Sequence, residues 1–451
     1  MRNKAFIKPL SIVLKKHLHP LRFGLLFALS WVSPNYTFGQ TTYFPPTGSP
    51  QWDTISPSSL GWCQDQIDSL YQFLEDNQTK AFILLKDGKI VLENYFNGFA
   101  QNDPWYWASA GKTVTSFMTG IAQQEGYLNI SDTTSDYLGQ GWTSCLPAQE
   151  QKITIRNQLS MTSGLDDGVA DPFCTLDTCL VYLADAGTRW AYHNGPYTLL
   201  DQVIANATGV TLNNYTNQKL LSPTGMSGVF LPNGYNNVFY SNARSMARFG
   251  LLILNRGVWN GNTIMTDTVY FNQMVNTSQN LNPSYGYLWW LNGKSGFMVP
   301  GVQFVFNGYF NTDAPADMFA ALGRDGQMLN IIPSQNMIWL RMGESPSSVN
   351  VPYLLNNEIW QKINLLPCGV GIGEISQTSS TTISHSFGNV IVISNETVSK
   401  IILRDLSGKT IRQCNGSNEL NTVGLAAGIY TVEAYLSQGN RVIKKISILH
   451  P

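Results

Sequence analysis

The chain has 451 residues, of which 43% are apolar and 13% are charged, and its formal net charge at pH 7 is −1. A chain of this length exceeds one ordinary hydrophobic core, so we expect two or more domains. The low and balanced charge argues against nucleic acid or an anionic membrane as a partner, because both require a basic face.

The first 40 residues have the organisation of an export signal. Six basic residues between Arg2 and Arg22 precede a short apolar stretch, Phe23 to Val32, which is too short to span a bilayer comfortably. We therefore predict a signal peptide over 1–40, an exported protein that is secreted or attached to the cell surface, and no membrane span in the mature form. An uncleaved anchor is the alternative.

Six cysteines in an exported chain predict disulfide bonds. Cys174 and Cys179 are close enough to close one loop. Cys63 and Cys368 bracket the central part of the chain, so a bridge between them would join its two ends. The sequence does not pair the two remaining cysteines, Cys145 and Cys414. Since no C-x-x-C pair or Cys/His cluster appears, we expect no metal site, and we expect no cofactor.

The tetrad Ser109-Ala110-Gly111-Lys112 is the only S-x-x-K in the chain. Upstream, Asp87-Gly88 between apolar runs predicts a β-hairpin. Downstream, apolar residues from Val114 to Ile121 recur at helical spacing. Ser109 at the start of that helix and Lys112 one turn later project from the same face, so the lysine can accept the serine's proton. The helix dipole favours the anion that develops.

Other hydrolytic chemistries lack their residues. His193 is the only histidine of the central region, and no G-x-S-x-G elbow is present, which argues against a Ser-His-Asp triad. We expect His193 to line the pocket or to be a satisfied buried residue rather than a base. H-E-x-x-H and the Walker and Rossmann phosphate loops are also absent. Elimination favours lysine-assisted serine chemistry, which needs a second proton carrier.

Three further stretches accompany the tetrad: Ile153–Leu165, Ser245–Leu252 and Tyr285–Trp290. With them, the region from about 64 to 366 resembles the serine β-lactamase and penicillin-recognising superfamily. It is most similar to the group of class C β-lactamases, family VIII esterases, D-stereospecific peptidases and 6-aminohexanoate-dimer hydrolases. The resemblance implies an α+β fold of the β-lactamase/transpeptidase type, with a five- to seven-stranded antiparallel sheet flanked by helices and a helical subdomain.

The resemblance also assigns site residues. Many tyrosines satisfy the family's Y-x-N pattern, and its spacing from the serine selects Tyr192 and Asn194. Lys294-Ser295-Gly296 matches the third motif, K-T-G, directly. We nevertheless favour Arg324-Asp325-Gly326-Gln327, because it follows one apolar run and precedes two strands in the family's order.

The resemblance implies acyl transfer through Ser109, with Lys112 as general base and Tyr192 as proton carrier to the leaving group. Asn194 would orient Lys112 and the substrate. Arg324 keeps a positive charge in the third motif, and Gly326 belongs to its backbone lining. Backbone N–H groups of Ser109 and Gln327 would stabilise the oxyanion.

Asp325 places a carboxylate near the substrate, so we expect weak or no cleavage of β-lactams and a preference for esters or small amides. The predicted function is a secreted serine hydrolase acting on a small-molecule ester or amide, or on a peptide. The alternatives are a catalytically silent domain that binds peptidoglycan or peptide, and a true β-lactamase or D-Ala-D-Ala carboxypeptidase.

After Cys368 the composition changes to Gly, Ser and Thr, which predicts a linker over 369–385. Short β-type runs then predict a small antiparallel sandwich over 386–451. Ile402–Lys409, Leu425–Tyr430 and Lys444–Ile446 resemble the C-terminal sorting domain of the type IX secretion system, which implies that machinery as a partner. An accessory or spacer sandwich is the alternative. The hydrolase domain is predicted over 41–368.

Overall fold

The computed structural model describes residues 42–344, 351–368, 381–386, 389–394, 396–405, 408–426, 428–437 and 441–448. The chain divides into two compact units, Met1–Pro367 and Cys368–Pro451. The predicted signal peptide and positions 369–380 of the predicted linker lie outside the described residues. Among the helices that are described, none is both long and apolar enough to cross a membrane.

The helices of the described residues all belong to the first unit and are numbered in chain order. The α-helices are α1 Gln64–Asp76, α2 Lys112–Gln124, α3 Ser135–Leu138, α4 Pro147–Glu150, α5 Ile155–Leu159, α6 Asn194–Thr198, α7 Leu200–Thr208, α8 Leu212–Thr216, α9 Ser222–Thr224, α10 Ala243–Leu254, α11 Thr268–Met274 and α12 Tyr353–Ile363. Short 3₁₀ turns cover Pro57–Leu60, Ala108–Gly111, Asp177–Cys179, Arg324–Gly326 and Pro333–Gln335, and a π-helical turn covers Asn217–Leu221.

The strands are distributed over both units. Those of the first unit are β1 Thr79–Lys86, β2 Lys89–Tyr95, β3 Trp105–Tyr106, β4 Val229–Asn233, β5 Asn236–Ser241, β6 Val258–Trp259, β7 Asn262–Thr263, β8 Trp290–Leu291, β9 Gly296–Phe297, β10 Phe306–Asn307, β11 Phe319–Gly323, β12 Gln327–Ile332 and β13 Met337–Gly343. Those of the second are β14 Thr382–Ser386, β15 Asn389–Ile393, β16 Val398–Arg404, β17 Thr410–Asn415, β18 Glu419–Asn421, β19 Gly428–Leu436 and β20 Arg441–Ile448.

One antiparallel sheet organises the first unit, in the order β2-β1-β13-β12-β11-β8. The predicted hairpin joins β1 to β2 through Asp87 and Gly88, whose φ angles of 54° and 81° suit a tight two-residue turn. The predicted fold class is confirmed: an antiparallel sheet with helices of the β-lactamase type, followed by a small strand-rich region.

Helices cover both faces of this sheet. A Cβ on Gly250 of α10 would lie 2.7 Å from side-chain carbons of Ile338 and Leu329, so α10 packs closely against one face. The neighbouring Trp339 contacts Trp360 of α12, with ring centroids 5.9 Å apart. Because successive strand residues point to opposite faces, α12 lies on the other face. The strands β11, β12 and β13 are consequently buried on both sides and are mostly apolar.

The second unit contains two antiparallel sheets, β17-β16-β19-β20 and β14-β15-β18. Their apolar side chains form one cluster that includes Val390, Ile401, Leu403 and Val432. The β-type runs of the sequence correspond to β15, β16, β19 and β20, and the described residues also form β14, β17 and β18. The predicted linker, 369–385, is too long at its end, because β14 begins at Thr382. The alternation of short apolar residues in β14 is weak, which explains why the sequence pattern did not show it.

Four cysteines are disulfide-bonded and two are free thiols. Cys174 and Cys179 form a disulfide, as predicted, with their Cα atoms 5.9 Å apart. Cys63 and Cys368 are disulfide-bonded as well. The backbone N–H of Cys63 donates to the carbonyl of Leu366 at 2.9 Å, so the two ends of the first unit lie side by side. Cys145 and Cys414 are free thiols.

Arg341 is a fully buried cation at the centre of the sheet. Its guanidinium donates to Thr79 Oγ1 at 2.8 Å and to the backbone carbonyls of Gly326 at 2.7 Å and Asp325 at 3.2 Å. It also donates to the carbonyls of Asn77 and Glu344. Arg341 therefore fixes the turn between β11 and β12 to β13, because five donors of one rigid group are satisfied together.

We expect Arg341→Lys to destabilise the first unit by about 3 kcal/mol, because an ammonium cannot reach all five acceptors and buried carbonyls would lose their partners. The measurement is the urea midpoint of the unfolding transition. Arg256→Lys is the control, since Arg256 bonds to Asn272 in an exposed position and its replacement should change little. An unchanged midpoint for Arg341→Lys would contradict this role.

Candidate active site

The S-x-x-K serine lies in a 3₁₀ turn that leads directly into α2. The turn is anchored where the backbone N–H of Trp107 donates to the carbonyl of Phe239 at 2.8 Å, and where Trp107 Nε1 donates to Ser241 Oγ at 2.8 Å. Ala108 has a φ of 47°, an uncommon backbone conformation for a residue with a side chain. This bend presents the Ser109 hydroxyl to a cleft instead of the core.

Lys112 is buried, with 5% of its surface exposed, and its Nζ donates to Ser109 Oγ at 3.2 Å. The amine lies 4.1 Å from the ring centroid of Tyr197 and 5.5 Å from that of Tyr192. Burial lowers the pKa of Lys112 to about 7, and the charge of Asp201 opposes part of that change. A lysine in this environment is neutral in a large fraction of molecules near pH 7, so it can act as a base.

Tyr192 and Asn194 flank the start of α6 and both face the same cleft as Ser109. The Tyr192 ring stacks on Trp290, with centroids 5.8 Å apart. Burial raises the pKa of Tyr192, and a hydrogen bond with Ser109 acts in the opposite direction. Asn194 Oδ1 has no partner among the described residues, so the predicted contact with Lys112 is not made.

The cleft has a volume of about 470 Å³ and brings together six of the eight predicted site residues. These are Ser109, Lys112, Tyr192, Asn194, Arg324 and Asp325. Lys294 of the alternative third motif lies elsewhere, on a separate cavity between α10 and α11. Within the described residues, no group of three or more His, Cys, Asp or Glu side chains is arranged to hold a metal ion.

The third motif forms the turn between β11 and β12, and its Gln327 is the first residue of β12. Arg324 is exposed, and Asp325 accepts a hydrogen bond from Tyr106 Oη at 2.7 Å. Gly326 and Gln327 do not line the cleft. Gly326 is buried with its carbonyl against Arg341, and the buried Gln327 side chain exchanges hydrogen bonds with the backbone of Gly343.

The strand that approaches the Ser109 turn is β11, and its closest point is Gly323, the residue before Arg324. A Cβ built on Gly323 would lie 2.4 Å from the Trp107 carbonyl oxygen, 2.9 Å from Ala110 N and 3.1 Å from Ser109 N. Only a glycine permits this approach of β11 to the serine turn. Gly323 was not predicted as a site residue, although its sequence carries a signal, because this glycine ends an apolar run two residues before Asp325.

Asp201 is a second residue that the sequence analysis missed. It lies on α7, where its carboxylate accepts from Asn237 Nδ2 at 3.0 Å and from Thr115 Oγ1 at 3.5 Å. Thr115 lies one turn after Lys112 and also contacts Tyr197 Oη at 3.3 Å. Burial raises the pKa of Asp201 to about 7. The signal in the sequence was a single carboxylate inside an apolar helical segment.

The only histidine of the central region, His193, does not line the cleft. His193 is 1% exposed and is not part of the cleft lining, so of its two expected roles it is a buried residue and does not line the pocket. Neither of its ring nitrogens has a hydrogen-bond partner among the described residues. Burial lowers the pKa of His193 to about 4, so it is neutral near pH 7. Asp167 does line the cleft and is paired with Arg189 at 2.5 Å.

The chain is similar to several known proteins. The chain is 21% identical over 277 residues to a 6-aminohexanoate-dimer hydrolase of Paenarthrobacter ureafaciens, covering 52% of this chain and 70% of that protein. Among solved structures it resembles a putative 6-aminohexanoate-dimer hydrolase from Bacillus anthracis, with a TM-score of 0.52 and 20% identity, covering 72% of this chain and 91% of the other.

It also resembles a family VIII carboxylesterase, with a TM-score of 0.50 and 13% identity, covering 69% of this chain and 99% of the other. At these identities the structural likeness shows the fold. The family match is stronger, because residues 74–348, more than half of the chain, match the beta-lactamase family. The chain belongs to the beta-lactamase family, which includes serine hydrolases of β-lactamase and esterase type.

Proposed function

We propose that the protein is a secreted serine hydrolase that cleaves an ester or a small amide through an acyl-enzyme on Ser109. One observation carries the proposal: a desolvated lysine amine bonded to a serine hydroxyl at 3.2 Å, in a cleft that also contains Tyr192. A lysine on a solvated helix face would keep its proton at pH 7 and could not activate the serine.

In the acylation step, Ser109 Oγ attacks the substrate carbonyl while neutral Lys112 accepts the hydroxyl proton. The tetrahedral intermediate collapses, the bond to the leaving group breaks, and Tyr192 delivers a proton to that group. Lys112 returns its proton to the tyrosine. Water then attacks the acyl carbonyl and gives a proton to the Tyr192–Lys112 pair. The bond between the acyl carbon and Ser109 Oγ breaks, the pair returns that proton to Ser109 Oγ, and the acid is released.

The oxyanion requires two N–H donors near Ser109 Oγ. We assign one to the backbone of Ser109 and the other to the backbone of Arg324, in place of Gln327. The support is the close approach of Gly323 to Ser109 N, which puts the next residue of the chain beside the nucleophile. Gln327 is fully buried and outside the cleft lining.

The charges in the cleft favour substrates without a carboxylate. Asp325 lies on the wall with its carboxylate held by Tyr106, whereas Asp167 on the same lining is neutralised by its ion pair with Arg189. Arg324 Nε is 3.8 Å from Asp325 and mostly exposed, so it offsets the charge of Asp325 only in part. A penicillin or a D-Ala-D-Ala terminus would meet a fixed negative charge, whereas a neutral ester would not.

We further propose that the protein is exported, with residues 1–40 as the signal peptide and 386–451 as a sorting domain of the type IX secretion system. The support is the pair of bonded cysteines Cys174 and Cys179, together with the bonded Cys63 and Cys368, because disulfides persist in oxidising compartments. The small antiparallel sandwich of the second unit is compatible with such an address domain.

Hydrolysis assays with the full-length chain and its Ser109→Ala variant test the function. We expect cleavage of p-nitrophenyl acetate and butyrate by wild type only, with the acyl-enzyme visible by mass spectrometry at Ser109. Nitrocefin should be turned over at least 100-fold more slowly than the esters. Equal activity of the variant would exclude Ser109 as the nucleophile. Inactivity of both proteins, with no acyl-enzyme, would favour a silent binding domain, and efficient nitrocefin turnover would favour a β-lactamase.

The pH dependence tests Lys112 and Asp201 together. Because Lys112 must be neutral, kcat/KM should fall about tenfold per pH unit below its pKa of about 7. The negative charge of Asp201 raises that pKa, so Asp201→Asn should lower it and move the acid limb to lower pH. The measurement is kcat/KM for p-nitrophenyl acetate from pH 5 to 9.

Glu125→Gln is the control for this shift, since Glu125 lies at the opposite end of α2, where it bonds to Tyr215 and Lys219. The acid limb of the pH profile of Glu125→Gln should coincide with that of wild type. Lys112→Arg keeps the charge but cannot lose its proton, so it should be inactive across the range. An acid limb that does not move in Asp201→Asn would contradict the assigned coupling.

Gly323→Ala tests the oxyanion assignment. Gly323 has ordinary extended backbone angles, so the effect of the added methyl is steric, and it must push β11 away from the Ser109 turn. We expect kcat to fall about 100-fold, as for the loss of one oxyanion donor, with a smaller change in KM. Gly48→Ala, where no atom lies within 4 Å of the new Cβ, should behave as wild type. Full activity of Gly323→Ala would refute the assignment.

A further inference from the structure

Most of the exposed large apolar side chains in the described part of the first unit lie in three loops. The loops are 172–183, 229–238 and 300–309, which we call the rim. Their exposed apolar side chains are Phe173, Leu176, Val181, Tyr182, Leu183, Val229, Leu231, Tyr235, Phe304, Val305, Phe306 and Tyr309. Isolated exposed apolar residues are ordinary, but such concentrations mark binding surfaces.

The rim is continuous with the catalytic cleft, because every one of its loops contributes to the cleft lining. Phe173 is both exposed and part of that lining. The hairpin of β4 and β5 contributes Asn236 and Val238, and the third loop contributes Pro300 and Gly301. Each loop of the rim therefore reaches the cleft, and Phe173 is the exposed apolar side chain that the rim and the cleft lining share.

The rim loops are fastened to the body of the first unit. The disulfide between Cys174 and Cys179 closes the first loop. Asn213 Nδ2 donates to the carbonyl of Phe230 at 2.9 Å and holds the second loop, and Gln303 Nε2 donates to the carbonyl of Trp190 at 2.9 Å and holds the third. These bonds hold the loops in the conformation in which their apolar side chains are exposed.

The rim has almost no charge. Segments 220–243 and 295–312 contain no Asp, Glu, Lys or Arg, and the first loop carries Asp177 with no basic residue. An anionic lipid headgroup or a nucleic acid would require lysine or arginine at this surface. The occupant that suits an uncharged apolar surface beside a serine nucleophile is itself uncharged and apolar.

We infer that the rim adsorbs the enzyme to the surface of an emulsified neutral acyl ester, so that the acyl chain enters the cleft directly from an oil–water interface. The inference deepens the proposed ester hydrolysis by naming its substrate class, and for its chemistry it rests on that function. The adsorption itself depends only on the rim and is independent of Ser109.

Adsorption is measured by flotation of the full-length chain with a tributyrin emulsion, in a Ser109→Ala background so that no substrate is consumed. The rim variant combines Leu176→Ser, Leu231→Ser and Phe304→Ser. The matched control combines Leu146→Ser, Val269→Ser and Leu354→Ser, which are equally or more exposed positions outside the rim. We expect the droplet-bound fraction of the rim variant to be at least fivefold lower than that of the Ser109→Ala parent. The droplet-bound fraction of the control variant should equal that of the parent.

Hydrolysis supplies the second arm, with wild-type Ser109 restored. The rim variant should cleave soluble p-nitrophenyl acetate within twofold of wild type, yet cleave tributyrin above its solubility limit at least tenfold more slowly. Droplet binding without cleavage of any ester would refute the proposed function and leave the surface assignment supported.

Three results would overturn the inference. Equal droplet binding by the rim variant and wild type is the first. Preferential flotation with phosphatidylglycerol vesicles over tributyrin is the second, because it would assign the rim to an anionic membrane. A dimer in sedimentation experiments that the rim substitutions dissolve is the third, since a second copy of the chain would then cover the surface.

Discussion

The burial of the Lys112 amine is the constraint on which the rest of the site depends. An ammonium in that position would lose its hydration without gaining a directly bonded carboxylate, so its pKa falls to about 7. The same packing aims Nζ at Ser109 Oγ and brings it over the rings of Tyr197 and Tyr192. In the proposed mechanism, desolvation therefore supplies the base and fixes its geometry at once, and the rings of Tyr192 and Tyr197 cover the amine.

The sheet performs a different task, which is to bring backbone to the nucleophile. β11 touches the serine turn at Gly323, and the next turn is bonded to Arg341 beneath it. The guanidinium of Arg341 on β13 bonds to five acceptors, including two carbonyls of this turn. It therefore fixes Arg324 and Asp325, which line the cleft, relative to β13. The charge of Asp325 on that turn and the uncharged rim both support the proposed preference for neutral acyl substrates over carboxylates.

Much of this could be predicted from the sequence. The hairpin at Asp87-Gly88, the α2 periodicity and the fold class follow from local turn chemistry, apolar spacing and the resemblance. The meeting of Ser109 and Lys112 is local as well, because three residues on a helix fix it. Tyr192, Asn194, Arg324 and Asp325 were selected by pattern, and the structure places all four on the same cleft. Their catalytic roles stay predictions.

The remainder depended on contacts between residues far apart in the chain. Arg324 and Gln327 stand at the two ends of one short turn, and only the pairing of β11 with β12 shows which of them approaches Ser109. Asp201 reads as an ordinary helix residue until α7 packs beside α2, and the rim loops are separate segments until they surround one opening. The sequence by itself determined the local chemistry, because turns and helices bring near neighbours together. Only the tertiary structure decided burial, charge coupling and strand register, because these arise from packing between distant segments.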